Sequence, residues 1–114
     1  MYKLLFLSSL VKRDFISIKY RYNLQGLVQV HHIIPLEWRN HSNLLDYDVH
    51  SGYNLIFLPT KKGKEVINTI RRIHDGGHHK YNIFVKEKLD LGYDPYELCY
   101  LLREKFIQNE EIPW

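Results

Sequence analysis

Two short apolar runs, each closed by a proline, set the frame for this chain. Leu27 to Ile34 is β-branched and apolar and is stopped by Pro35; Asn54 to Leu58 is a second compact run, introduced by Ser51-Gly52 and ended by Pro59. Apolar runs of about four to eight residues between turn residues read as strands, and a residue before proline is pushed away from the helical region. The two runs therefore form a hairpin-like pair. After Thr60 the period changes. Val66, Ile67, Ile70 and Ile73 are spaced as one face of a helix that ends near Gly76-Gly77, with His74 at its end. A second helical pattern runs from about His78 to Asp90, with Tyr81, Phe84, Val85 and Leu89 on one stripe and Gly92 as its cap. The final helix, about 94–109, starts with Asp94 as N-cap, Pro95 in the first turn and Glu97 completing a capping box. Leu98, Leu101, Leu102 and Phe106 follow as its packing face. Residues 2–18 read as a helix or a helix-strand pair, and Pro35 to Leu45 holds a short helix. The fold class is α+β.

The chain has 114 residues, no internal repeat and no linker-like stretch, which makes residues 1–114 a single domain. Apolar residues at 45% and charged residues at 25% place it with globular chains and exclude disorder. A domain of this size buries only about two-thirds of its unfolded surface, so a bound metal can matter to its stability. The lone cysteine, Cys99, excludes an internal disulfide and a multi-cysteine zinc site, and argues for a reducing, intracellular compartment. Met1 to Val11 reads as a core segment: Lys12-Arg13-Asp14 stands where a signal-peptide cleavage site should lie. No stretch approaches the roughly 20 apolar residues of a membrane span, and no membrane partner is expected.

Charge is uneven. Residues 1–26 carry +4, 27–60 carry −2, 61–88 carry +5 and 89–114 carry −4. Two basic segments thus flank the histidines, a distribution that attracts polyphosphate backbones without reading sequence. Equally, Lys61, Lys62, Lys64, Arg71 and Arg72 read as solvated helix-face residues.

Seven histidines in so short a chain point to chemistry. His31-His32 stand at a strand end, where adjacent side chains point to opposite faces. One imidazole can bind a metal while its neighbour stays free as a base. Asn54 opens the next strand. His74 and His78 are four apart and share a face if the backbone between them is helical. If Gly76-Gly77 instead form a tight turn, His78 starts the next helix with His74 before it. His41 and His50 read as surface residues, Trp38 and Tyr81 as packing residues.

Three segments taken in order carry a resemblance. They are Val30-His31-His32-Ile33-Ile34-Pro35, Ser51-Gly52-Tyr53-Asn54-Leu55-Ile56-Phe57-Leu58-Pro59, and His74-Asp75-Gly76-Gly77-His78-His79-Lys80-Tyr81-Asn82. The pattern resembles the AHH branch of the HNH nuclease superfamily, over roughly residues 27–90. Val30 stands where the family name has alanine, and His79 where the family often has proline. The resemblance implies a ββα-metal (HNH-type) core, two strands and a helix around one divalent ion, with flanking N- and C-terminal helices. It implies that His31, His74 and His78 are the metal ligands, with His79 an alternative to His78. It also implies that His32 is the general base deprotonating the attacking water and that Asn54 holds the loop so that His32 is oriented.

Phosphodiester hydrolysis needs an activated water, charge stabilisation on the phosphoryl oxygens and help for the leaving oxygen, which one base and one metal cover. An all-imidazole site favours a transition metal (zinc, nickel, manganese or cobalt) over magnesium, which prefers oxygen ligands. Arg71, Arg72 and Lys80, beside the motif histidines, are the expected nucleic-acid contacts. The expected activity is that of a metal-dependent endonuclease with little base preference, DNA being favoured over RNA as substrate. Beginning at its own methionine with no long delivery region, the chain fits a homing-type, phage-like or viral nuclease as well as a toxin domain, which would add an immunity protein as partner. The alternative functions are a non-catalytic zinc-stabilised nucleic-acid-binding module of the same fold and a helical interaction protein with incidental histidines.

Overall fold

The structure, a computed structural model, describes residues 10–114. Along the chain run α1 (Lys12–Arg21), β1 (Val28–His32), three 3-10 turns (Leu36–Trp38, Ser42–Leu44 and Gly52–Asn54), β2 (Leu55–Pro59), α2 (Lys61–Val66), α3 (His79–Asp90) and α4 (Pro95–Ile107). Of the apolar segment expected at 2–18, residues 2–9 lie outside the described residues, and α1 is the helical part. The fold is α+β, with one two-stranded antiparallel sheet and several helices among the described residues.

β1 and β2 pair with Val28 opposite Pro59 and His32 opposite Leu55, the hairpin-like pair expected, though β1 stops at His32 and not at Ile34 before Pro35. Alternation along β1 sends His31 into the core, 2% exposed, and leaves His32 half-buried on the other face. α1 covers that second face. Its one buried side chain, Phe15, packs against Phe57 with ring centroids 5.1 Å apart. The helix start is pinned by a bridge between Val11 and Ser51 and by Asp14, whose carboxylate accepts from the Val11 N–H at 2.8 Å.

On the first face lies the main core, built on α3 and α4. Tyr81, Val85 and Leu89, four residues apart on α3, are almost fully buried and contribute about 1.5–3 kcal/mol each. Gly92, with φ of 86°, ends α3 as the sequence predicts. On α4 Asp94 accepts from the Glu97 N–H at 3.4 Å and Pro95 holds the first position. The return bond of a capping box is not made, the Glu97 side chain being exposed. The buried face of α4 also differs from the expected stripe: Leu101 is half exposed, and Arg103 lies inside with Leu98, Cys99, Leu102 and Phe106.

The largest departure follows Thr60. The helix expected to run to near Gly76-Gly77 stops at Val66, because its apolar stripe has nothing to cover it: Val66 and Ile70 are each more than 60% exposed. The β-branched run there is also a poor helix former. Long-range bonds capture the chain instead. Lys64 Nζ donates to the carbonyls of Thr69 at 3.0 Å and Arg71 at 2.6 Å, and the His74 N–H donates to the Pro59 carbonyl at 2.8 Å. His74 is therefore carried by an irregular segment bonded to the end of β2 and not by a helix end. Pro35 to Leu45, expected as one short helix, forms two 3-10 turns.

Gly63 marks where α2 meets the strand pair. A Cβ built there would stand 1.8 Å from the Leu27 carbonyl oxygen, and Thr60 bonds both sides of the junction, accepting from Gly63 N–H at 3.0 Å and donating to Gly26 O at 2.7 Å. Gly63→Ala should cost at least about 1–3 kcal/mol, the usual penalty of overpacking. Urea unfolding would show the midpoint drop.

Candidate functional site

Three elements converge at one end of the strand pair. β1 supplies His31, the irregular segment after α2 supplies His74, and the residue before α3 supplies His78. One ring nitrogen from each lies within 4.8 Å of the others, with ring centroids 5.1–5.2 Å apart. Gly76, at φ 60°, and Gly77 form the tight turn, and His78 itself adopts a left-handed backbone at φ 39°. The second of the two geometries open to this spacing is thus the one adopted. His79, exposed in the first turn of α3, takes no part in the trio.

The donor set fits a divalent ion. Nε2 of His31 is sealed from solvent with no hydrogen-bond partner among the described residues. Leaving such an atom unpaired costs about 1–3 kcal/mol, which a bound cation would offset. Asn82 sets the state of His78. Its Nδ2 donates to the Glu37 carboxylate at 2.6 Å, so its Oδ1 must face His78 Nδ1, 2.8 Å away. Nδ1 therefore carries the proton and Nε2 presents its lone pair. Burial, followed by the neighbouring histidines, holds the pKa of His31 well below the ordinary imidazole value; burial and His78 lower that of His74. Both rings are neutral and able to ligate at neutral pH. Asn82→Ala should weaken divalent-ion binding by about 10- to 100-fold, measurable by competition with a chromophoric chelator.

His32 stands beside the trio on the opposite strand face. It shares a cleft of about 190 Å³ with His31, His74, His78, Val30, Pro35 and Leu36. Its Nε2 is sealed and unpartnered among the described residues. Burial, then Lys12 and His50, push its pKa down to about 4, which keeps the ring in its base form at neutral pH. The His50 ring is 5.9 Å away.

The chain just after His32 is clamped by Asn54. This side chain is fully buried in the 3-10 turn preceding β2, one residue earlier than the strand opening expected for it. Its Oδ1 accepts from Ile34 N–H at 2.8 Å and Tyr47 O–H at 2.6 Å, and its Nδ2 donates to the carbonyls of Ile34 at 3.0 Å and Val49 at 2.8 Å. Behind the turn, Arg103 donates to the carbonyls of Gly52, Tyr53 and Leu55, and the Cys99 thiol donates to Tyr53 O at 3.2 Å. Burial lowers the pKa of Arg103 and raises that of Cys99. Tyr81, core as expected, also donates its hydroxyl to the Ile33 carbonyl.

Of the residues expected to meet nucleic acid, Lys80 is exposed. Both arginines have partners within the chain. Arg71 donates to Phe57 O at 2.9 Å, and Arg72 lies 3.8 Å over the Trp114 ring and 3.6 Å from the Asp75 carboxylate. His41 is no free surface residue: Nε2 lies 2.7 Å from Asp90, and Nδ1 accepts from Asn43 N–H. His50 is exposed, as expected. The sequence alone gives no role to Asn82, Arg103 or Trp114. Only Asn82 had a local signal, its helical spacing of four from His78.

A strand pair and a helix that bring three imidazoles together, with a fourth histidine on the opposite strand face, define a small α+β protein with a candidate metal centre. The chain belongs to the AHH family, a nuclease family of the HNH/ENDO VII superfamily with conserved AHH, whose model matches residues 18–105. No curated protein and no solved structure matches the chain. Among the described residues no helix is long and apolar enough to cross a membrane.

Proposed function

We propose that this chain is a metal-dependent endonuclease of the ββα-metal type, acting as a single domain on the phosphodiester backbone of DNA in preference to RNA. In this reading His31, His74 and His78 hold one divalent ion, a transition metal in preference to magnesium. The observation that carries it is the convergence of three imidazoles, with a ring nitrogen of each within 4.8 Å of the others, around a buried His31 whose Nε2 has no hydrogen-bond partner among the described residues. When bound, such an ion supplies Lewis-acid polarisation at a phosphoryl oxygen. The rest of the chemistry belongs to this chain's own side chains. His32, uncharged and in the same cleft, accepts the proton of the attacking water. Since Nε2 of His32 is sealed, Nδ1 is the nitrogen that takes it. Asn54 acts at one remove, by fixing Ile33-Ile34 and hence the end of β1. Lys80, with exposed Lys61 and Lys62, draws in the phosphate backbone, while Arg71 and Arg72 contribute from positions already tied to the chain.

The test is cleavage of supercoiled plasmid and of total RNA by tag-free protein across zinc, nickel, manganese, cobalt and magnesium. Cleavage that EDTA abolishes and a transition metal restores supports the reading. Cleavage indifferent to EDTA, or none with any ion, sinks it.

A further inference from the structure

Trp114 lies 36 residues from His78, the nearest member of the histidine trio in sequence, yet its ring centroid is 5.6 Å from His31, 5.5 Å from His74 and 5.0 Å from His78. It stands away from the cleft, whose lining includes His31, His32, His74 and His78 but not the indole. Tyr81 and Phe106 continue the same aromatic surface, at 5.8 and 6.3 Å from Trp114. Two bonds fix the ring. Its Nε1–H donates to the Asp75 carbonyl at 2.7 Å, within the loop that joins His74 to His78, and Arg72 stacks on it at 3.8 Å. Buried Ile112 anchors the tail that delivers it.

We propose that Trp114 is a positioning residue for the metal centre: it forms the dry rear wall behind the three imidazoles and holds the His74–His78 loop in the ligating arrangement. The inference rests on the metal reading above and adds a residue to it. An apolar wall excludes water from the back of the site and strengthens ion–imidazole electrostatics by lowering the local dielectric. The indole N–H constrains the loop directly. Arg72, a cation whose charge also acts on His31 and His74, is held by the indole face and lies 3.6 Å from the Asp75 carboxylate, which partly offsets it.

The experiment measures cobalt(II) affinity by chelator competition, on tag-free apo protein whose folding is checked by circular dichroism. Trp114→Ala should bind about 10- to 100-fold more weakly than the parent. Trp114→Phe, which rebuilds the wall without the N–H, should recover only part of that loss and stay measurably weaker than the parent, and it stands in if the alanine variant does not fold. In a Trp38→Phe chain the remaining indole emission should be quenched in step with cobalt uptake. Parent affinity in folded Trp114→Ala, or in Trp114→Phe if that alone folds, together with unquenched emission, overturns this inference alone. A parent that takes up no ion overturns the metal centre itself and the inference with it.

Discussion

His32→Ala is expected to cut the rate of phosphodiester cleavage by about a hundred- to ten-thousand-fold, the usual share of a general base, while divalent-ion content stays at the parent's level. The split follows from strand geometry. His31 and His32 are neighbours whose side chains leave opposite faces of β1, and only His31 belongs to the converging histidine trio. Truncating His32 removes the base and leaves the three imidazoles, Asn82 and the Asn54 clamp untouched. His31→Ala should do the reverse, losing ion and cleavage together. The measurement is single-turnover plasmid nicking with metal analysis on the same preparations. Undiminished nicking by a clean His32→Ala preparation refutes the base assignment. A parent that binds an ion and DNA but never cuts either nucleic acid is a binding module instead.

The parts legible in the sequence are those that local rules decide. Pro59 ends β2, β1 lies within the apolar run before Pro35 though it stops at His32, and the Tyr81, Val85, Leu89 stripe has one face to bury. The His31-His32 pair was legible for the same reason, since alternation on a strand is a local fact. After Thr60 the apolar spacing of Val66, Ile67, Ile70 and Ile73 satisfied the helical template, but helices gain most of their stability from packing, and nothing packs on Val66 or Ile70. The bonds that fix that segment come from Lys64 and Pro59, outside any periodic window. Arg103 was hidden differently: in an apolar stripe a charged residue reads as solvent-facing, and only the three carbonyls of the Gly52–Leu55 turn explain its burial. Trp114 reaches the histidines only once α3 and α4 have docked, a contact no spacing rule anticipates.

The same nonlocality sets the largest expected loss of stability. Asn54→Ala should cost about 3–5 kcal/mol, because it leaves the Ile34 N–H, the Ile34 and Val49 carbonyls and the Tyr47 hydroxyl without the partner they now share. Each buried group left unsatisfied costs about 1–3 kcal/mol, with some relief from relaxation. Native domains are stable by only about 5–15 kcal/mol, so the variant stands near the edge of folding. Cys99→Ala offers the comparison. The thiol meets the same Oδ1 only at 3.7 Å and is a weak donor, and its removal leaves the amide's four stronger bonds intact. Its cost should stay near 1–2 kcal/mol. Urea midpoints for the two variants decide the matter: equal losses would show that Asn54 acts through packing volume, whereas a clearly larger loss for Asn54→Ala locates the stability of the β1 end in its hydrogen bonds. Asn54→Asp sharpens the contrast, since it keeps the volume but turns the donor edge toward two carbonyls into an acceptor. It should be at least as destabilising as the alanine change.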